Sequence, residues 1–261
     1  MVDRGELRGG VTAVLARASF AAVTARDRDG RLWISPVTGP PGFLAATTPT
    51  RLSLKTALSA EDPLRGLDAG QPIGIVVMEF AAKRRVRING TLAAADGATL
   101  DVDVVQAYGN CPQYIRPRRF RHENSDIAGT SDSRRGSGIA AEDIALIRGA
   151  DTFFLGTTHP ERGNDASHRG GPVGFVDAED TTVKWPDYPG NNMFNSFGNL
   201  AVDPSAALLF VDFRGGRVLQ LSGNARVEWT TAADGADTAR RVRFAVEQVV
   251  SRQFAGLREA P

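Results

Sequence analysis

The chain has 261 residues, which is about the length of two average domains. Hydrophobic residues make up 42% of it and charged residues 23%, ordinary values for a globular protein that buries a sizeable core. Its 31 basic and 30 acidic residues nearly cancel, so overall charge gives no drive towards nucleic acid or an anionic membrane. An anion site in this protein therefore needs a local cluster of arginines.

A single cysteine, Cys111, excludes an intrachain disulfide and is in keeping with a reducing compartment. Residues 1–6 are polar and charged, without the basic-then-apolar order of a secretory signal. The longest apolar runs, residues 73–78 and 206–211, have strand lengths and fall far short of the roughly 20 residues that span a bilayer. The sequence therefore predicts a soluble, cytoplasmic protein.

An internal repeat is the most informative feature of the chain. Residues 35–44 (SPVTGPPGFL) align without a gap on residues 167–176 (SHRGGPVGFV) at an offset of 132, and Ser, Gly, Pro, Gly and Phe coincide. Two further blocks repeat in pattern at an offset of 133: residues 73–80 against 206–213, and residues 86–90 against 219–223. Three blocks in one order at nearly one offset predict a duplication into two domains.

The elements of each half are predicted to be β-strands. Phe20–Arg26 and residues 151–157 are the expected first strands, and residues 31–35 form the return limb of a hairpin. Apolar runs bounded by Gly or Pro predict central strands, and residues 86–92 and 218–227 alternate as strands with one face in a core do. Many short strands and few helices favour barrels.

Helical patterns are local. Short helices are predicted over residues 63–67 and Asn195–Val202, a connecting helix over residues 141–148, and a longer helix over residues 234–253 with apolar residues at helical spacing. Residues 130–138 read as an exposed loop within a polar linker. The predicted domains are a first half over residues 10–118, a linker and connecting helix over 119–147, a second half over 148–230 and a C-terminal helix over 231–261.

Short motifs recur in a fixed order along residues 20–230. They are GPPGF at 39–43, DPL at 62–64, RRVRING at 84–90, NCPQYI at 110–115, DASHRGG at 165–171, GNNMFN at 190–195 and GNL at 198–200. This ordered set resembles the pyridoxamine 5′-phosphate oxidase-related FMN-binding proteins, in particular a duplicated bacterial branch of that family. The resemblance implies a mainly β fold of tandem duplicated split barrels, with a few helices and an FMN cleft between the halves.

The resemblance places one glycine-rich stretch along the flavin ring and ribityl chain. Its residues are Ser167, His168, Arg169, Gly170 and Gly171, and glycine there lets the backbone approach a ligand closely. The alternative is a glycine-rich turn with one solvent-facing arginine.

The residues aligned with the phosphate-binding triplet of the family differ from it. Simpler members carry a Ser-Arg-Lys triplet near the start of the matching helix, and alignment puts Phe194, Asn195 and Ser196 at those places. Both cations are therefore missing. The amides of Asn192 and Asn195, the hydroxyl of Ser196 and the N-terminus of the helix remain as phosphate ligands.

The missing positive charge is predicted to come from the basic strand at residues 83–87. Side chains alternate along a strand, so Arg85 and Arg87 share one face and Arg84 takes the other. Two guanidiniums on one face can bind phosphate bidentately, and in the family the matching strand completes the flavin site of the partner barrel. The alternative is an edge strand protected by charge.

The motif at residues 110–115 supplies further polar candidates. Asn110, Gln113 and Tyr114 can hydrogen-bond the edge of a flavin or a substrate. Cys111 has no nearby histidine or second cysteine in the sequence to lower its pKa, so we expect a buried structural thiol. The sequence contains no zinc-type Cys/His spacing, no GKS-type phosphate loop and no serine nucleophile elbow.

The resemblance and these residues together predict an FMN-dependent oxidoreductase. Its partners are expected to be a small organic substrate and NAD(P)H or a redox protein, and no catalytic side chain stands out because the flavin carries the chemistry. Two alternatives stay open: a flavin-binding or electron-transfer module without turnover, and the same fold with F420 or haem. Haem needs an axial ligand from His122, His159 or His168. One or two flavins per chain, and a homodimer, are both compatible with the sequence.

Overall fold

A computed structural model describes residues 5–121, 133–190, 193–231, 238–254 and 258–260. Two antiparallel sheets dominate it, and each is built from one half of the chain. The mainly β architecture of duplicated barrels predicted from the sequence is therefore confirmed.

The first half opens with helix α1 (Gly10–Arg17), which the sequence analysis did not predict. Its strands are β1 (Phe20–Arg26), β2 (Leu32–Thr38), β3 (Leu44–Thr48), β4 (Arg51–Lys55), β5 (Pro72–Glu79), β6 (Arg84–Ala95) and β7 (Thr99–Gly109). They are hydrogen-bonded in the order β2-β1-β5-β6-β7-β4-β3.

The second half repeats this arrangement. Between the halves lie β8 (Phe120–Arg121), β9 (Arg134–Gly136) and helix α2 (Ala141–Gly149). The elements that follow are β10 (Thr152–His159), β11 (Gly163–Gly170), β12 (Asp177–Glu179), β13 (Thr182–Pro186), α3 (Asn195–Val202), β14 (Ser205–Asp212), β15 (Arg217–Trp229), β16 (Arg240–Gln253) and β17 (Arg258–Glu259). The main strands pair in the order β11-β10-β14-β15-β16-β13-β12, the same order as in the first sheet.

Strand register agrees with the offsets read from the sequence. Ser35 pairs with Val23 in the first half, and Ser167, 132 residues later, pairs with Leu155 in the second. The pairs between β5 and β6 recur between β14 and β15 at an offset of 133. The repeated blocks therefore occupy equivalent positions in the two sheets.

The central strands are apolar on both faces because each lies between two cores. In β1, Ala21 and Val23 face the core of the first barrel, whereas Phe20 and Ala22 face a third core shared by both halves. Phe154 of β10 reaches the same shared core, where its ring centroid lies 5.0 Å from that of Phe20. Burial on two faces explains why these strands read as continuous apolar runs.

The predicted C-terminal helix over residues 231–261 is wrong where the structure describes this segment. Strand β16 pairs with β15 and β13, so the second half continues well past residue 230. A bulge opposite Ser222 and Gly223 shifts the alternation, and Val242, Val246 and Val249 all reach one core. Their spacing of four and three residues imitates a helical face.

The other local predictions have mixed outcomes. Helix α3 has the predicted bounds, and α2 covers the predicted connecting helix. Residues 63–67 form a turn instead of a helix, and residues 134–136 of the predicted exposed loop form β9, which pairs with β16. No helix in the described part of the chain is long and apolar enough to cross a membrane.

Close approach of the halves yields a stability prediction. A Cβ at Gly74 would lie 2.7 Å from the backbone oxygen of Asn164 in the other half, whereas a Cβ at Gly109 meets nothing within 4 Å. We expect Gly74→Ala to lower the free energy of unfolding by roughly 1–3 kcal/mol through overpacking, and Gly109→Ala to change it little. Urea denaturation measures both, and equal effects would contradict this account of the contact.

Candidate functional site

A polar cleft lies where the two halves meet. Strand β6 contributes Arg85 and Arg87 from the first half, and β11 contributes His168, Arg169 and Gly170 from the second. The other walls come from Ser196 at the start of α3, the segments at residues 110–114 and 185–190, and Arg240 of β16. The enclosed space amounts to about 100 Å³, enough for an anionic head group, so the rest of a larger ligand must extend towards the open side.

A buried ion pair across the halves fixes one wall. Nη1 of Arg87 donates to a carboxylate oxygen of Asp165 at 3.1 Å, and both side chains are less than a tenth exposed. Asn89 donates to Asp165 at 3.4 Å, as does Ser196, whose hydroxyl also lies 3.3 Å from that of Ser167. This network holds Arg87 in position and joins β6, β11 and α3.

A second contact across the halves sets the protonation of a histidine. Nη1 of Arg85 lies 2.8 Å from Nδ1 of His168. A guanidinium only donates hydrogen bonds, so Nδ1 accepts, and the ring proton is assigned to Nε2. Burial, and then the charges of Arg85, Arg169 and Arg87, hold the pKa of His168 well below its usual 6.5. His168 is therefore a neutral donor through Nε2.

Two further arginines share one carboxylate. Asp187 follows β13, and its Oδ2 lies 2.9 Å from both Nε and Nη2 of Arg240. Nη1 of Arg169 lies 3.7 Å from its other oxygen, Oδ1. The guanidinium of Arg169 also stacks over the ring of Phe197, with 5.5 Å between its Cζ and the ring centroid. Asp187 thus orients both cations towards the cleft.

Positive charge in the cleft exceeds negative charge. Four guanidiniums, those of Arg85, Arg87, Arg169 and Arg240, face the two carboxylates of Asp165 and Asp187, an excess of two charges. Burial, and then neighbouring cations, lower the pKa of Arg85 and of Arg169 to about 10. Both stay charged at neutral pH, and an added anion would relieve their repulsion.

Several donors in this cluster have no acceptor in the described part of the chain. They are Nε of Arg85, Arg87 and Arg169, and Nε2 of His168, all buried. A buried donor without a partner costs about 1–3 kcal/mol, and native proteins rarely leave several together. Orphaned donors beside excess positive charge are typical of a site that an anionic ligand completes.

Aromatic side chains form the open side of the cleft. The rings of Tyr114 and Tyr188 stack with centroids 5.5 Å apart, and the hydroxyl of Tyr114 donates to the carbonyl of Pro189. Cys111 lies beside them, half-buried, with Sγ 3.8 Å from an amide oxygen of Gln113. The expectation that the Cys111 thiol is buried is therefore wrong.

The structure separates the predicted site residues into two groups. The cleft is lined by Arg85, Arg87, Asn110, Gln113, His168, Arg169, Gly170 and Ser196. Ser167 lies behind the wall in the buried network, Gly171 packs on Phe175 in a turn, and Asn195 donates to the hydroxyl of Tyr108 at the surface. Asn192 lies outside the described residues. Arg84 points away from the cleft and is exposed, as strand alternation predicts.

Sequence reasoning missed Asp187 and Arg240. Arg240 lay inside the segment predicted as a C-terminal helix, so its place on β16 beside the cleft was hidden. Asp187 carried no local signal, and only its pairing with Arg169 and Arg240 gives it a role. The aligned repeat offered one clue, because basic residues occupy β6 where β15 has Val218 and Gln220.

The second, equivalent place between the halves is closed. Gln220 aligns with Arg87 and Ser35 with Ser167, and there Gln220 donates to the hydroxyl of Ser35 at 2.9 Å. Ser35 in turn donates to Asp62 at 2.6 Å, and Arg252 bonds both Gln220 and Asp62. The four side chains are buried and hydrogen-bond one another, and none of their atoms is among the unpartnered buried donors of the described residues.

The neutral state of His168 makes stability depend on pH. The unfolded chain protonates this ring below about pH 6.5, whereas the folded chain does not because its pKa is depressed. The unfolded state then binds the extra proton, so the free energy of unfolding falls as pH drops from 7 to 5, by up to about 1.4 kcal/mol per unit. We expect His168→Gln to remove this contribution to the pH dependence of the free energy of unfolding, and the control His159→Gln to retain it. Urea denaturation at several pH values between 7 and 5 measures both.

A known protein family matches the second half of the chain. Residues 140–254 match the family model described as pyridoxamine 5′-phosphate oxidase. This span runs from α2 to the end of β16 and includes β11, α3, Asp187 and Arg240. No curated protein matches the sequence.

Solved structures similar to the chain align over about one half of it. HupZ of Group A Streptococcus is 14% identical, with 47% of this chain and 99% of that chain covered and a TM-score of 0.36. A putative pyridoxamine 5′-phosphate oxidase of Lactobacillus delbrueckii is 13% identical, with 44% and 94% covered and a TM-score of 0.36. HutZ of Vibrio cholerae, described as a haem storage protein, is 10% identical, with 45% and 96% covered and a TM-score of 0.34.

The family match, together with the strand order, confirms the resemblance read from the motifs. The second half of the chain, residues 140–254, is a split-barrel unit related to the pyridoxamine 5′-phosphate oxidases, and the first half repeats its topology.

Proposed function

We propose that the cleft between the halves binds FMN and that the protein is an oxidoreductase. The observation that carries this proposal is the group of buried, unpartnered donors of Arg85, Arg87, Arg169 and His168. The excess of two positive charges there matches the dianionic phosphate of FMN, and guanidinium forks suit phosphate oxygens. The related family of the second half supports a flavin as the ligand.

The remaining walls fit the other parts of FMN. Amides of Asn110 and Gln113 line the same cleft and are suited to the polar edge of the ring or to the ribityl hydroxyls. Tyr114 and Tyr188 offer flat faces against which a planar ring packs. Bound FMN would supply a carrier of hydride or of single electrons, which no side chain of this cleft provides.

The residues of the chain would bind the ligand, orient it and hold protons at fixed positions. Asp165 and Asp187 keep Arg87, Arg169 and Arg240 fixed, so little side-chain freedom is lost on binding. Neutral His168 offers one N–H to an acceptor of the ligand, and Arg85 prevents the ring from changing tautomer. The partners we propose are a small organic substrate and NAD(P)H or a redox protein as electron donor.

Haem is the less suitable ligand for this site. An iron ligand must present a lone pair, and the proton assigned to Nε2 of His168 blocks the nitrogen left free by Arg85. His159 accepts a hydrogen bond from the backbone of Glu161 and does not line the cleft, and His122 lies outside the described residues. Mass analysis of the ligand released from the purified protein separates FMN, F420 and haem.

Arg85 and Arg84 provide a matched test of the phosphate site. We expect Arg85→Ala to weaken FMN binding roughly 10- to 100-fold, because a hydrogen bond to a charged group is worth about 1.5–3 kcal/mol. Riboflavin lacks the phosphate, so its affinity should change much less, and the exposed control Arg84→Ala should change neither. Flavin fluorescence titration gives the dissociation constants. Failure of the wild-type protein to bind FMN would overturn the proposal.

The closed equivalent site predicts the stoichiometry. Ser35, Asp62, Gln220 and Arg252 satisfy one another, so we expect one FMN per chain even though the fold is duplicated. Titration calorimetry with absorbance of the released flavin counts the sites. Two equivalents per chain would show that this network opens for a ligand.

A further inference from the structure

A second, apolar groove lies between α3 and β15. It is bounded by Phe194, Phe197, Leu200 and Ala201 from α3 and its N-terminal flank, and by Val227 and Trp229 of β15. Its volume is about 640 Å³, within the usual range for sites that bind organic ligands. Arg240 is the one described residue of this groove that also enters the charge balance for phosphate binding.

The groove exposes large aromatic surfaces. Trp229 is 75% exposed and Phe194 is 47% exposed, and contiguous exposed apolar area on a folded protein marks a binding surface. The charges at its rim are already paired: Arg240 with Asp187, and Arg226 with Glu228 at 2.9 Å. Aromatic walls with no spare charge favour a planar, uncharged ligand over an ionic one.

The groove is continuous with the cleft. Phe194, Phe197 and Arg240 line both spaces. The guanidinium of Arg240 lies over the ring of Phe194 at 5.1 Å and over that of Trp229 at 6.0 Å, while its nitrogens bond Asp187 on the cleft side. A molecule in the groove would therefore have one end beside the cleft.

The other half of the protein provides an internal comparison. There Leu64 and Leu67 align with Phe197 and Leu200 at an offset of 133, and the equivalent groove measures about 240 Å³. Apart from Arg65, its lining is aliphatic or small, and no aromatic side chain stands among the described residues that form it. A groove that merely followed from the fold would recur in both halves. The wide aromatic groove occurs only beside the open cleft.

We propose that this groove is the substrate site and that it takes the planar, uncharged ring of a quinone, a class of compound that accepts electrons from a reduced flavin. The part of the proposal that concerns turnover depends on the proposed flavin function, whereas binding to the groove does not. The substrate would lie with its reactive end towards Phe194, Phe197 and Arg240, where the two spaces meet.

Duroquinone is a suitable probe, because its fully substituted ring does not add to the thiol of Cys111. Equilibrium dialysis with the full chain measures its affinity, and tryptophan fluorescence locates it, since Trp229 is exposed and Trp33 and Trp185 are buried. We expect saturable quenching that Trp229→Phe largely removes.

Two adjacent substitutions on α3 test the location. Ala201 lines the groove, whereas Val202 is exposed and lies outside it. We expect Ala201→Lys to weaken duroquinone binding at least about tenfold, because it places a charge in an apolar site. Val202→Lys, the same charge one position along the helix, should leave the affinity unchanged.

Each result supports or overturns the assignment. Equal affinity of the two lysine variants, or undiminished quenching in Trp229→Phe, would place the quinone elsewhere and overturn it. Displacement of duroquinone by saturating FMN would make the groove part of the flavin site and would also overturn it. Binding that survives in protein unable to hold FMN would uphold the groove and reject the proposed cofactor, so the two failures are distinguishable.

Discussion

The buried ion pair between Arg87 and Asp165 is the constraint on which the cleft depends. It joins β6 of one half to β11 of the other, and breaking a pair so deeply buried would leave an uncompensated charge in the interior. Hydrogen bonds from Asn89 and Ser196 to the same carboxylate recover part of the cost of removing both ions from water. Because Asp165 neutralises only Arg87, the neighbouring Arg85 keeps its unbalanced charge.

The same strand order in the two halves supports two equivalent polar sites that differ in their hydrogen bonding. Both sheets have the same strand order, and the blocks around Ser35 and Ser167 occupy equivalent positions. At one of the two equivalent places between the halves, Arg252 bonds both Asp62 and Gln220, so these polar groups satisfy one another. At the other place, four guanidiniums share two carboxylates, and several donors have no acceptor among the described residues. The difference lies in the balance of side-chain charge, because the backbone is repeated.

The same asymmetry extends past the cleft to its surroundings. The wide aromatic groove around Trp229 lies beside the cleft with unpartnered donors, whereas a smaller groove without aromatic residues among those described lies beside the closed network. Arg240 connects the two features, since it bonds Asp187 on one side and stacks on aromatic rings on the other. The unpartnered donors and the aromatic groove therefore lie on the same one of the two equivalent sides.

The sequence by itself determined the duplicated β fold, the bounds of α3 and the shared face of Arg85 and Arg87, because these follow from short-range periodicity and repeated motifs. It failed at β16, where a bulge gave a strand the spacing of a helix. Only the tertiary structure decided which charges remain unpaired. The partners are distant in sequence, because Asp165 follows Arg87 by 78 positions and Arg240 follows Asp187 by 53. Their pairing therefore depends on how the sheets pack and not on any local pattern.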